Sequence, residues 1–325
     1  MAIDIGQAVS ADAARDPASQ DTGVLELEVV QLRKESDRVL SVVLADPGRR
    51  LLPAWTPGAH IDLWLPEQTR QYSLCGDPAE RREYRVAVLR EETSRGGSSY
   101  VHDALRPGEL VEVGGPRNNF PLVETAEYLF VAGGIGITPL LPMMAAAGED
   151  WRLLYGGRTR ASMAFADRLA ADSRVQICPQ DTHGILDLAA ALGKPRPGLA
   201  VYCCGPEPLI AAMEAACAQW PAGTLHVERF SAAAIDTSGD EAFDVVAQRS
   251  GTRLTVPAGE SALDVLEAAG IDVPNACRDG ICGSCETRVL SGLPEHRDTF
   301  TDSTVTDRVM PCVSRALTPE LVLDV

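Results

Sequence analysis

The 325-residue sequence predicts a multidomain protein in which a small antiparallel β-barrel is followed by an α/β unit and then by a short α+β unit. Three observations carry this. Residues 24–122 hold short alternating segments separated by Gly- and Pro-rich turns, residues from Tyr128 onward hold apolar segments interleaved with helical stretches, and residues 242–325 hold a dense cysteine run. A chain of this length exceeds what one hydrophobic core usually serves, so three units are expected.

In the first unit, Leu25–Val30, Val39–Leu44, His60–Leu65 and Tyr84–Leu89 read as half-buried strands, and Pro57-Gly58, Pro107-Gly108 and Gly114-Gly115-Pro116 punctuate them. That spacing suits an antiparallel barrel. Arg70-Gln71-Tyr72-Ser73-Leu74 ends one alternating stretch, and Arg95-Gly96-Gly97-Ser98-Ser99 precedes the helix-like Tyr100–Leu105. Glycines and serines at a helix start suit a phosphate, with Arg70 adding charge, while Tyr72 could lie against a flat ring and Ser73 could reach a ring heteroatom. Taken alone, the same residues also suit an ordinary strand end and a capped loop.

In the second unit, Tyr128–Ala132, Trp151–Tyr155 and Ala200–Cys203 read as apolar strands, with Ser162–Ala171 and Pro208–Gln219 as helices between them. Gly133-Gly134-Ile135-Gly136-Ile137-Thr138-Pro139 lies between a strand and a helix. It differs from the Rossmann G-x-G-x-x-G fingerprint but shares its physics, since glycines let a pyrophosphate or ring approach the backbone in front of a helix N-terminus. A tight turn without a ligand is the alternative. Cys203-Cys204-Gly205-Pro206 repeats the strand-to-helix context, which places Cys204 to meet a nicotinamide, although a buried thiol is equally a core residue. The apolar stretch Tyr128–Ala147 is interrupted by Gly133, Gly134, Gly136, Pro139 and Pro142, so it reads as strand, loop and helix and not as a membrane span.

Ser231–Glu241 reads as a linker, and Phe243–Gln248 with Thr252–Val256 as a hairpin opening the third unit. There, Cys277, Cys282 and Cys285, followed much later by Cys312, have the four-thiolate spacing of a plant-type [2Fe–2S] site. Gly280 and Gly283 remove side chains where the backbone must approach inorganic sulfide. A zinc knuckle is the alternative, but zinc sites usually offer paired C-x2-C units or histidines.

The formal net charge of −17 argues against nucleic acid, which needs clustered Lys and Arg, and suits a solvated acidic surface or a basic protein partner. Beyond the cluster set, Cys75, Cys178, Cys203, Cys204 and Cys217 have neither an even count nor secreted-scaffold spacing, so a reducing, cytoplasmic compartment is expected. Residues 1–22 lack a leader signature and read as a disordered extension. His60, His102, His183, His226 and His296 are scattered without ligand pairing and read as structural or surface residues.

These motifs together resemble the phthalate dioxygenase reductase family, flavin reductases of the ferredoxin–NADP reductase superfamily with a fused C-terminal ferredoxin. Arg70-x-Tyr72-Ser73 matches its flavin motif, Gly96–Ser99 its flavin phosphate loop, Gly133–Pro139 its pyridine-nucleotide loop and Cys204-Gly205-Pro206 its nicotinamide-lining motif. The resemblance implies an FMN-binding barrel over 23–123, an NAD-binding α/β domain over 124–230, a linker over 231–241 and a ferredoxin-like β-grasp domain over 242–325. It implies that Arg70, Gln71, Tyr72, Ser73, Ala87, Val88, Gly97, Ser98, Ser99 and Phe230 hold FMN. The NAD set is Gly133, Gly134, Gly136, Ile137, Thr138, Pro139, Arg158, Cys204, Gly205 and Pro206, with Thr138 and Cys204 beside the reacting nicotinamide.

A nicotinamide yields two electrons as hydride while a [2Fe–2S] cluster accepts one, so a flavin must stand between them. The implied activity is an NADH-dependent flavin iron–sulfur oxidoreductase, acting as a monomer that docks transiently on the Rieske-type oxygenase of an aromatic dioxygenase or O-demethylase system. A cytochrome P450 or a carnitine- or betaine-type oxygenase is the alternative acceptor, and a redox sensor the alternative class. NADH is expected over NADPH, although Arg158 and Arg160 could accept a 2′-phosphate.

Overall fold

The computed structural model describes residues 24–66, 68–92, 96–231 and 235–325, and the extension expected over residues 1–22 lies outside them. Strands β1 (Leu25–Ser36), β2 (Val39–Ala45), β3 (His60–Leu65), β4 (Gln68–Ser73) and β5 (Glu83–Leu89) precede helix α1 (Gly97–Asp103) and β6 (Leu110–Arg117). They form one antiparallel sheet in the order β4-β3-β6-β1-β2-β5. A bridge between Leu74 and Val86 joins its edges and closes the barrel. Leu27, Val29, Val42, Leu44, Ile61 and Leu63 fill the interior at the two-residue period that the sequence carries.

The second unit runs β7 (Glu127–Gly133), α2 (Ile137–Ala146), β8 (Trp151–Gly157), α3 (Ala166–Leu169), β9 (Val175–Pro179), α4 (Gln180–His183), α5 (Leu188–Leu192), β10 (Leu199–Cys204), α6 (Glu207–Cys217) and β11 (Leu225–Glu228). Its strands form a parallel sheet in the order β11-β10-β7-β8-β9. The chain enters at β7, winds outward to β9, then crosses back to β10, so the winding direction reverses between β7 and β10. A doubly wound sheet leaves its ligand crevice there, at the carboxyl ends of those strands. Phe130, Ala132 and Tyr202 share a core with Ala87 and Phe120 of the preceding region, while Val131, Val201 and Cys203 face a second core with α6.

The stretch Tyr128–Ala147 is strand, 3₁₀ turn and helix, as expected, and no helix among the described residues is long and apolar enough to cross a membrane. The helix expected over Ser162–Ala171 shrinks to α3. Thr159 and Ser162 cap a separate 3₁₀ turn, and Phe165 takes a left-handed φ of 61° with its side chain buried, so the helix starts only at Ala166.

In the third unit β12 (Phe243–Ala247) and β13 (Thr252–Val256) form the expected hairpin. Helix α7 (Ala262–Ala268) follows, its Ser261 cap accepting the Asp264 N–H, and then β14 (Thr287–Ser291), β15 (Pro294–Glu295), β16 (Arg308–Val309), β17 (Arg315–Ala316) and β18 (Glu320–Leu323). The sheet order β13-β12-β18-β14-β16, with β12 and β18 parallel, wraps Leu263 and Leu266 of α7 in the manner of a β-grasp. Asp240, at the end of the predicted linker, is buried and ion-paired to Arg297 Nη1 at 2.8 Å and to Arg315 Nη1 at 3.5 Å.

Candidate functional site

Strands β4 and β5 meet at the barrel closure and form one wall of a cavity of about 460 Å³. Arg70, Tyr72, Ser73, Ala87, Gly97 and Ser98 line it from the barrel, Thr138, Glu228 and Phe230 from the α/β side, and Cys277, Asp279 and Ile281 from the cysteine loop. The first turn of α1 packs on β4 so closely that a Cβ at Gly97 would stand 3.0 Å from Arg70 Cγ, and Ser99 follows Ser98 in that turn. Burial pushes the Tyr72 phenol up to about 12, so it meets the cavity as a neutral ring.

Two expected contacts are placed differently. Gln71 touches the cavity, but its amide donates to Asp62 at 2.8 Å, in a network that Asp62 shares with Arg117. Val88 points into the barrel core, so of the Ala87–Val88 pair only Ala87 presents a side chain to the cavity.

Glu228 is a site residue to which the sequence motifs assign no role. Its Oε2 lies 3.5 Å from Ser73 Oγ and 4.0 Å from Cys204 Sγ, and burial pushes its carboxyl up to about 8. Cys204 is fully buried beside it, so Thr138 and Glu228 present atoms to the cavity where Cys204 was expected to. Burial also pushes the Cys204 thiol well up, which keeps it protonated. Thr138 donates its hydroxyl to Ile135 O at 3.0 Å.

A second cavity of about 980 Å³ opens over the carboxyl ends of the parallel strands, lined by Gly133, Gly134, Arg158, Gly205, Pro206 and others. Phe230 borders both cavities and is 39% exposed. The glycines keep this floor thin: a Cβ on Gly136 would stand 2.1 Å from Cys204 O, and one on Gly133 would stand 2.6 Å from Pro206 Cδ. Ile137 and Pro139, expected at the nucleotide, are buried in the first turn of α2, so their side chains support the loop from below. Arg158 lies 3.7 Å from Glu92, which also pairs with Arg38, and Arg160 is turned to Asp167 at 2.8 Å.

The cysteine loop lies between α7 and β14. With Cys312, which reaches it from between β16 and β17, its sulfurs fall into two pairs, Cys277 with Cys282 and Cys285 with Cys312, the latter 3.3 Å apart. Asp279 N–H donates to Cys277 Sγ at 3.3 Å and Ser284 N–H to Cys282 Sγ at 3.4 Å. A hydrogen bond from Cys277 and those from Ser284 hold the Cys282 thiol below its ordinary value. Gly280 has φ 68°, and a Cβ there would stand 2.6 Å from Val313 Cγ2. Two thiolate pairs with N–H groups aimed at sulfur suit a binuclear iron–sulfur cluster, two ligands to each iron.

A barrel cavity for a flat ring and phosphate, a nucleotide crevice meeting it at one aromatic side chain, and a cysteine loop that brings Cys277 to the cavity wall define a pyridine-nucleotide oxidoreductase that works through a flavin and an iron–sulfur cluster. Comparison with known proteins narrows the class. Residues 245–317 match the 2Fe-2S iron-sulfur cluster binding domain family. The chain is 42% identical to "Phenoxybenzoate dioxygenase subunit beta" of Ectopseudomonas oleovorans over 92% of this chain and 97% of that protein. It is 39% identical to "Phthalate dioxygenase reductase" of Burkholderia cepacia, covering 94% and 98%.

Among solved structures, an intact type IV self-sufficient cytochrome P450 monooxygenase matches with a TM-score of 0.88 at 43% identity, over 93% of this chain and 41% of that one. A phthalate dioxygenase reductase, described as modular for electron transfer from pyridine nucleotides to [2Fe–2S], matches with a TM-score of 0.68 at 39% identity, over 93% and 98%. The chain belongs to the phthalate dioxygenase reductase family, whose cofactors are FMN, NADH and a [2Fe–2S] cluster.

Proposed function

We propose that this reductase serves a Rieske-type oxygenase, passing electrons from NADH through FMN to the [2Fe–2S] cluster and on to the oxygenase, in a reducing cytoplasmic compartment. The observation that carries the reading is the shared wall: one cavity touches β4 of the barrel, Phe230 of the nucleotide crevice and Cys277 of the cluster loop. When bound, FMN accepts a hydride and releases single electrons to the cluster, which takes one at a time.

The side chains divide the remaining work. Tyr72 and Ala87 offer a flat apolar wall for the ring, and Arg70 with Gly97 and Ser98 offers charge and N–H groups to the phosphate. Phe230 separates the ring from the nucleotide crevice and must move aside before a nicotinamide reaches it. Thr138 and the Glu228 carboxyl, neutral below about pH 8, hold the nicotinamide side, with Cys204 supporting Glu228 from beneath. Cys277, Cys282, Cys285 and Cys312 would ligate the two irons.

NADH is the expected donor. Arg158 has the Glu92 carboxylate beside it and Arg160 is engaged by Asp167, so neither cation is left to a 2′-phosphate without first giving up an anion. The test is steady-state KM for both nucleotides together with oxygenase-coupled turnover: a KM lower for NADPH would reverse the donor assignment, and reduction of cytochrome c without support of any Rieske oxygenase would reverse the acceptor. A cytochrome P450 acceptor is the second reading, favoured by the similarity to a self-sufficient P450 chain. A redox sensor has no use for a hydride site and a ring site joined at Phe230.

A further inference from the structure

One buried polar group in the ring cavity is assigned no role by the relay above. His60 opens β3, pairs across the sheet with Ser73 of β4, and is 5% exposed, yet its ring borders the cavity. Its Nε2 has no hydrogen-bond partner among the described residues. The Cys282 carbonyl of the cluster loop faces the same imidazole. That loop is also tied to the barrel by Asn119, whose Nδ2 donates to Cys282 O at 3.1 Å, and by Gly283, where a Cβ would stand 3.2 Å from the same Nδ2.

A buried polar nitrogen without a partner is a cost that a fold rarely keeps without reason. An apolar residue would fill the position more cheaply. Here the residue borders the space that a flavin ring would take, while its imidazole also meets the Cys282 peptide of the cluster loop. Neutral imidazole has one N–H and one lone pair, on opposite edges, and so can bridge two groups at once.

We propose that His60 is a positioning residue of the internal electron step, bridging the flavin cavity to the cluster loop through Cys282 and setting the gap that electrons cross. This rests on the relay described under the proposed function. Each NADH supplies two electrons and one proton as hydride; the electrons leave the flavin singly, each turning one ferric centre ferrous and passing to the one-electron acceptor before the next arrives, and the proton leaves to water. His60 is neither oxidised nor reduced. Because electron transfer slows steeply with the gap, the residue acts on the flavin-to-cluster step and on the cluster's surroundings more than on hydride transfer.

The experiment compares His60→Leu and His60→Gln in holoprotein whose FMN and iron contents match wild type. Anaerobic stopped flow separates the NADH-to-flavin phase from the flavin-to-cluster phase, and electron paramagnetic resonance of the dithionite-reduced protein reads the cluster without turnover. In His60→Leu the second phase slows at least tenfold more than the first and the cluster g-values or line widths change. His60→Gln, which keeps a donor and an acceptor, recovers most of both. Equal slowing of the two phases, an unchanged spectrum with an unchanged second phase, or failure of both variants to hold FMN or iron overturns the proposal. If wild type shows no second phase, the relay itself fails, which is a distinct outcome from failure of His60 alone.

Discussion

Glu228 shows how a side chain of ordinary chemistry acquires a special state from its surroundings. A carboxyl raised from its usual value to about 8 binds more protons folded than unfolded, so its contribution to stability is complete below the ordinary carboxyl range and is lost as pH rises through about 8. Thermal melts should therefore show wild type losing Tm relative to Glu228→Gln as pH rises from the ordinary carboxyl range to about 8 and running parallel to it above, by roughly 2–4 °C for each kcal/mol involved. Parallel curves throughout would mean that the carboxyl is already ionised at pH 6. Cys204→Ala removes the group packed beside it and should slow flavin reduction by NADH about tenfold, as for misplaced reactants generally, with the cluster's visible spectrum intact. The motif Cys204-Gly205-Pro206 was legible in the sequence, with burial of the thiol as one of two readings, but the importance of Glu228 was not. Ser73 and Glu228 are 155 residues apart in the chain, and no local pattern reports that they meet.

At the scale of elements, the strands of the barrel and of the parallel sheet were legible because alternating and continuous apolar runs are imposed by one or two buried faces. The start of helix α3 was not, since the left-handed backbone at Phe165 follows from where its ring finds a core and not from local helix preference. The glycine loops were legible as loops, whereas their close packing on one another is a tertiary fact. Gly136→Ala tests it: the added methyl meets the Cys204 carbonyl, so the turns after β7 and β10 must separate. Overpacking of this kind costs about 1–3 kcal/mol. The expected outcome is a lower Tm with a raised KM for NADH, read by calorimetry and initial rates, and an unaltered Tm would show that the two turns yield freely.

The whole molecule is a series of three stations, and its order can be cut. Cys312→Ser should prevent normal cluster assembly while leaving the barrel and parallel-sheet cores folded, because Cys312 packs only in the third core. NADH-dependent ferricyanide reduction should stay within a few-fold of wild type while cytochrome c reduction collapses; loss of both in flavin-loaded protein would contradict the linear order. Wild type should carry one FMN and about two irons per chain, measured by chromatography of the released flavin and by metal analysis. The cluster ligands were the most legible part of the site, since four thiolates at that spacing have few other uses, whereas the wall that joins them to the flavin cavity depends on how the domains pack. The Asp240 ion pairs bear on where this molecule could be divided into working pieces. Severing the chain at residue 242 would strip the shared carboxylate from two mostly buried guanidinium groups, Arg297 and Arg315, a loss of about 3 kcal/mol that a fragment of this size has little margin to absorb. A scission two or three residues upstream of Asp240 would carry the counter-charge along, and a transplantable ferredoxin module cut there should refold and take up iron where the shorter piece does not.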